Sequence, residues 1–253
     1  MTNGATNPHF TAWVEHFEAN VAVQVAMERD VDWDAPCSLP DPVRRAFVRS
    51  FQRFELGENG DGERLLAHAK AAGDPVYHRA LSLLVAEEQR HSALFRRGLE
   101  HLGAPVMRSH WSDAAFTVLR RSFGLRTELA LFLVAESVAM GWFTALATAA
   151  PDAVLRGIGR RIAHDERHHL RFQVDRLRVG FVGTPAVLRA LVGFGWSIVA
   201  IGAVTVLVVD HGDALRACGL SPARYWWRAL GTFGRTAFDA LGRTRRGVEG
   251  PLP

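Results

Sequence analysis

Two stretches of the chain, VAEEQRHSALF at residues 85–95 and AHDERHHLRF at residues 163–172, each set a glutamate and a histidine into a helical apolar pattern. The spacing of Glu88 to His91, and of Glu166 to His169, is almost one helical turn, so each pair leaves its helix on one side. Around the first pair that side carries Leu81, Leu84, Phe95 and Leu102; around the second it carries Leu155, Ile162 and Phe172. Such a stripe seeks the core. A chain with titratable pairs on two apolar faces must bring those faces together and supply partners for the charges it buries.

A third segment, ELALFLVAESVAMGWF at 128–143, holds one charged residue after its opening glutamate, namely Glu136. Leu129, Phe132, Leu133, Met140 and Phe143 share its face, so it too points inward. A fourth carboxylate, Glu58, continues the stripe of Phe47, Phe51 and Phe54. Glu58 precedes Glu88 by 30 residues and Glu136 precedes Glu166 by 30, which suggests a repeated helix pair. The stretch GENGDGE puts Gly57, Gly60 and Gly62 beside Glu58, each costing a helix about 0.8–1 kcal/mol relative to alanine. It reads either as a kinked helix or as a loop, with Glu55 as the alternative ligand one turn earlier. Four carboxylates and two imidazoles form a mixed oxygen and nitrogen set suited to two first-row divalent ions, iron or manganese. Glu87 and Asp165 each stand four residues before a motif histidine and share its helix face, where they can orient an imidazole or simply face solvent.

Helix starts are signalled at Asp41-Pro42, Asp74-Pro75, Thr184-Pro185 and Ser221-Pro222, each a capping residue followed by a proline suited to the first turn. The expected helices run over about 42–72, 75–102, 126–149, 152–179, 185–210 and 222–242. A crossover holding a short helix begun by Ser112 links the second to the third. The chain therefore reads as all-α: an irregular extension over 1–40, a four-helix bundle with one long crossover over 41–180, and further helices over 181–253 packed on it. The tail GVEGPLP reads as irregular.

The formal charge is +4, Lys70 is the only lysine, and arginines are spread among comparable numbers of acidic residues, which disfavours a nucleic-acid partner. Cys37 and Cys218 are too far apart in sequence for a CxxC motif, and MTNGATNPHF has no leader-like pattern, so a cytoplasmic protein is expected. The uncharged run at 190–209 matches a bilayer in length. Its interior glycines and the absence of a second span favour a helix buried on the bundle, with a membrane-associated or dimerising face as the alternative.

In these motifs the chain resembles the ferritin-like di-iron carboxylate superfamily over roughly residues 42–180. That resemblance implies Glu58, Glu88, His91, Glu136, Glu166 and His169 as metal ligands and catalytic residues. It also implies two iron ions (or manganese, or a mixed pair), O2 as co-substrate, and Glu87 and Asp165 as outer partners. The implied activity is a non-haem oxidase or oxygenase acting on a small apolar organic substrate, fed with electrons by an external reductase or ferredoxin. Members with hydroxylase or desaturase activity often carry threonine where this chain has Met140, and the radical-forming reductase subunit carries tyrosine where it has Phe95. His164 and His168 lie off the inward face and are not expected to bind metal. A ferroxidase or storage shell, a non-catalytic binding module and a homodimer remain open.

Overall fold

The computed structural model describes residues 10–111, 118, 124–242 and 250–251, and among them there is no strand. In chain order the helices are α1 (Thr11–Arg29), α2 (Asp41–Glu58), α3 (Glu63–Ala71), α4 (Pro75–His101), α5 (Leu125–Ala149), α6 (Ala153–Gly180), α7 (Ala186–Ala217) and α8 (Pro222–Leu241). The short helix expected from Ser112 lies outside the described residues, as does most of the C-terminal tail.

Of the four capping signals, Asp74 acts as its chemistry requires, accepting from the backbone N–H groups of Val76 (3.1 Å) and Tyr77 (3.0 Å). Asp152, which carries no such signal, caps α6 by accepting from the N–H of Leu155 (3.0 Å). Ser221 is the N-cap of α8 as expected, without a side-chain bond, and at the other two sites the boundary moves by one residue. Extended Pro40 and Pro185 occupy the N-cap positions expected of Asp41 and Thr184.

α2 pairs with α4 and α5 with α6, and α4 joins the two pairs along α6. Aromatic rings close the remaining seam. Phe54 of α2 stacks on Phe95 of α4 (centroids 5.4 Å) and meets Phe143 of α5 at 5.0 Å, while Phe51 meets Phe95 edge-on at 5.1 Å. α5 and α6 approach so closely that a Cβ on Gly159 would lie 2.5 Å from the backbone nitrogen of Ala147. Only glycine permits that contact.

Three expectations need correction. The helix expected over 42–72 is broken after Glu58: Asn59 to Gly62 leave the helical path, and Gly62 adopts φ +65°. A side chain there would also strike Val85, so Gly62 combines the turn with a close approach. The region 1–40 is not irregular throughout, because α1 is a helix packed against α4 and α6. Its inward stripe is Trp13, Phe17, Asn20 and Gln24, half of it polar, and so it lacks a plain amphipathic signature. Finally, α7 is buried on one side only. It packs on α2, α5 and α8, yet Val187, Leu191, Phe194, Ile198, Ile201 and Val209 are exposed along the other side. By length and composition α5 and α7 could each cross a membrane, but α5 is mostly buried in the core.

Gly159→Ala should lower stability by about 1–3 kcal/mol through overpacking. Gly195→Ala, on the exposed side of α7 with nothing within 4 Å of its added carbon, should raise it by about 0.4–1 kcal/mol. Urea unfolding of the two variants checks both signs.

Candidate metal centre

The two Glu-x-x-His pairs meet. The imidazoles of His91 and His169 lie 5.4 Å apart between ring centroids, and Glu88, His91, Glu166 and His169 each offer one donor atom within 4.8 Å of the others. Glu88 Oε1 is 2.7 Å from His169 Nδ1, and Glu166 Oε1 is 3.3 Å from His91 Nδ1. Neither contact has hydrogen-bond geometry. Both Nδ1 atoms, Glu88 Oε1 and both oxygens of Glu166 are buried with no hydrogen-bond partner.

Glu136 of α5 joins them with its Oε2 likewise buried and unpartnered, while its Oε1 accepts from Gln173 Nε2 at 2.5 Å. Glu58, the last residue of α2, lines the same pocket as Glu88 and Glu136 and feels the charges of Glu88, Glu166 and Glu136. Glu55 turns elsewhere: it is buried against Ser92 and Arg96, the latter at 2.8 Å. Glu58 therefore has the position that the equal 30-residue spacing assigns to it, and Glu55 does not.

Unpartnered donors concentrated at one buried point are costly for a bare protein, since such groups are ordinarily hydrogen-bonded. A bound metal cation would satisfy them. The donor set, two imidazole nitrogens and carboxylate oxygens, fits first-row divalent metals. The cluster can hold a metal ion.

The outer partners are crossed. His91 of α4 bonds through Nε2 to Asp165 of α6 (2.9 Å), and His169 of α6 bonds through Nε2 to Glu87 of α4 (2.9 Å). The four-residue spacing put each acid beside its own histidine; the bundle instead gives each acid to the histidine of the other helix. That arrangement fixes both rings with Nδ1 toward the glutamates. It also ties α4 to α6 across the centre.

The acids are held in turn by α1. Asn20 donates to Glu87 (2.8 Å) and Asp165 (2.9 Å), Gln24 donates to both, and Arg161 bonds Asp165 from one turn away. Sequence reasoning missed these residues. The spacing of Trp13, Phe17, Asn20 and Gln24 was the available signal, legible only if buried amides are admitted to an inward stripe. His164 meets Asn20 Oδ1 at 3.2 Å and His168 lies against His16 (centroids 4.1 Å), so neither belongs to the cluster of donors.

Burial, reinforced by the charge of Glu88 and a hydrogen bond to it, holds Glu58 well above the ordinary carboxylate range. Burial and the charges of Glu166 and Glu88 do the same to Glu136. Burial would also raise Glu88, but the hydrogen bond with Glu58 and the charge of His169 outweigh it and lower its pKa. His169 is raised because Glu88 and Glu87 outweigh its burial. In the metal-free protein, protons on Glu58, Glu136 and His169 relieve the crowding of negative charge.

A pocket with a cavity volume of about 70 Å³ reaches the cluster from the α2–α3 side. Its polar lining is Glu58, Glu88, Glu136 and Gln173, and its apolar lining includes Leu81, Leu84, Val85, Leu129 and Phe132. Gly57, Gly60 and Gly62 line it as well. No protein-family model matches this chain, and no curated protein matches it.

Metal titration should separate the two candidate glutamates of α2. Glu58→Gln should weaken metal binding, Glu55→Gln should leave it intact, and Glu87→Gln should weaken affinity roughly 10–100-fold. Isothermal calorimetry with Mn(II) measures all three.

A pH dependence also follows. Above about pH 6.5 an unfolded chain has released the protons that folded Glu58, Glu136 and His169 retain, so metal-free stability falls as pH rises. Below that value the lowered pKa of His16, His164 and His168 acts with the opposite sign. Melting curves between about pH 6.5 and 8.5 should show the decline, a shallower one in Glu136→Gln, and none once divalent metal has replaced the protons.

Proposed function

We propose that the chain is a ferritin-like, non-haem di-iron oxidase or oxygenase that oxidises a small apolar organic molecule with O2. The observation that carries this reading is the cluster of unpartnered carboxylate and imidazole donors opening onto an apolar pocket. A mineral-storing centre has no need of such a pocket, whereas an oxygenase must seat a substrate beside its metals.

When bound, the metal pair would supply the redox chemistry and the open positions for O2. Glu88, His91, Glu166 and His169, with Glu58 and Glu136, would hold it. Asp165 and Glu87, by accepting at Nε2, orient the imidazoles so that Nδ1 of each faces the glutamates and would be the ligating atom. Gln173 fixes the Glu136 carboxylate through one oxygen and leaves the other for a ligand role. Burial and the neighbouring Glu88 hold the Glu58 carboxyl well above its ordinary range, so metal entry would displace its proton. Leu81, Leu84, Val85, Leu129 and Phe132 seat an apolar substrate and exclude water from the carboxylate wall. Electrons would come from a separate reductase or ferredoxin.

Protein loaded with Fe(II) under anaerobic conditions should consume O2 on mixing, and the double variant Glu88→Ala, His91→Ala should fall to the rate of free iron. Uptake indifferent to those substitutions overturns the reading. So does assembly into a large cage that accumulates Fe(III), the mark of a storage protein.

A further inference from the structure

Residues 30–40 link α1 to α2 without forming a helix, and they lie across one end of the bundle. Val31 fills the space left by Gly157 of α6, and Trp33 lies under the guanidinium of Arg97 of α4, 3.6 Å from its ring centroid. Further along the same segment, Cys37 meets the last residue of α4, His101, and the N-cap of α6, Asp152. His101 Nε2 is 3.0 Å from Asp152 Oδ2, and one donor atom from each of the three residues lies within 4.8 Å of the others.

We infer that Cys37, His101 and Asp152 form a second metal site, a mononuclear one for zinc or a similar divalent ion. Bonds of about 2.0–2.3 Å to a tetrahedral ion keep sulfur, nitrogen and oxygen donors about 3.3–3.8 Å apart, a spacing bracketed by the 3.0 Å His101–Asp152 edge and the 4.8 Å limit on the edges to Cys37. The carboxylate is already oriented, because Asp152 Oδ1 is engaged by the Leu155 N–H and Oδ2 is the oxygen facing His101. The site is shielded as well: the side chains of His101 and Asp152 are 5% and 8% exposed, and Cys37 is half-buried. A thiolate, an imidazole and a carboxylate form a borderline-soft set that selects zinc over the hard cations, and three protein donors leave a fourth position for water.

This site is chemically distinct from the Glu/His centre and about 15 Å along α4 from His91. Each donor comes from a different piece of chain, so a bound ion ties the 30–40 segment to the ends of α4 and α6 at once. It thereby anchors the C-terminal side of α1, whose Asn20 and Gln24 hold Glu87 and Asp165.

Cobalt(II) titration of the reduced, full-length protein tests the inference through a signature the Glu/His centre cannot produce, since that centre has no sulfur donor. A near-ultraviolet thiolate-to-cobalt charge-transfer band should appear and saturate at one equivalent. It should persist in Glu88→Ala, His91→Ala and in Cys218→Ser, and vanish in Cys37→Ser. Native mass spectrometry with Zn(II) should show one ion fewer in Cys37→Ser than in the unaltered chain. Absence of the band in the unaltered protein overturns the proposal, independently of how any variant folds. A band that survives Cys37→Ser and disappears in Cys218→Ser overturns it too.

Discussion

Burying several carboxylates at one point inside an aromatic and aliphatic bundle is strongly unfavourable unless protons or cations meet them, and the rest of the structure is arranged around that constraint. Without metal, Glu58 and Glu136 retain protons and His169 gains one. Under the proposed reading, metal would take the place of those protons on the same atoms. The bundle is therefore held in a shape whose electrostatics are satisfied in two ways, and the choice between them depends on pH and on metal supply. The donors of Glu166 illustrate the point, since both oxygens are buried and unpartnered in the absence of an ion.

Rigidity at the centre comes from the crossed acid–imidazole bonds rather than from the ligands themselves. Had Asp165 and Glu87 each bonded the histidine of its own helix, the contacts would have stiffened α4 and α6 separately. By exchanging partners they make the ring orientation on one helix conditional on the position of the other. Asn20 extends this dependence to α1, because a single amide donates to both acids. A displacement of α1 would loosen two imidazoles together.

The pattern of inward-facing residues made most of the centre legible. Glu-x-x-His spacing and an apolar stripe suffice to put Glu88, His91, Glu166 and His169 on facing surfaces, because helix geometry alone determines which side chains share a face. Equal intervals of 30 residues distinguished Glu58 from Glu55, although glycines at 57, 60 and 62 argued against a helix there. The structure reconciles the two signals by ending α2 at Glu58 and placing Gly60 and Gly62 in the turn that follows, with all three glycines lining the pocket. What remained hidden depended on tertiary context. The exchange of acids between helices cannot be read from spacing within one helix, and the polar half of the α1 stripe has meaning only when Glu87 and Asp165 face it.

The contrast between α5 and α7 shows the same limit on a larger scale. Both are long, apolar and nearly free of charge in the middle, with mean hydropathies of 1.8 and 2.3 over their most apolar windows. Composition would rank α7 as the deeper of the two, yet it is α5 that enters the core, and α7 leaves a row of aliphatic and aromatic side chains outside. The single charge in the middle of α5 is the discriminating residue. Glu136 gains a hydrogen bond from Gln173 only by facing α6, so the helix with the more expensive side chain is the one the bundle must surround. α7 carries no group that demands a particular neighbour along its uncharged run, and hydrophobicity alone, being non-directional, does not decide which of its sides turns inward.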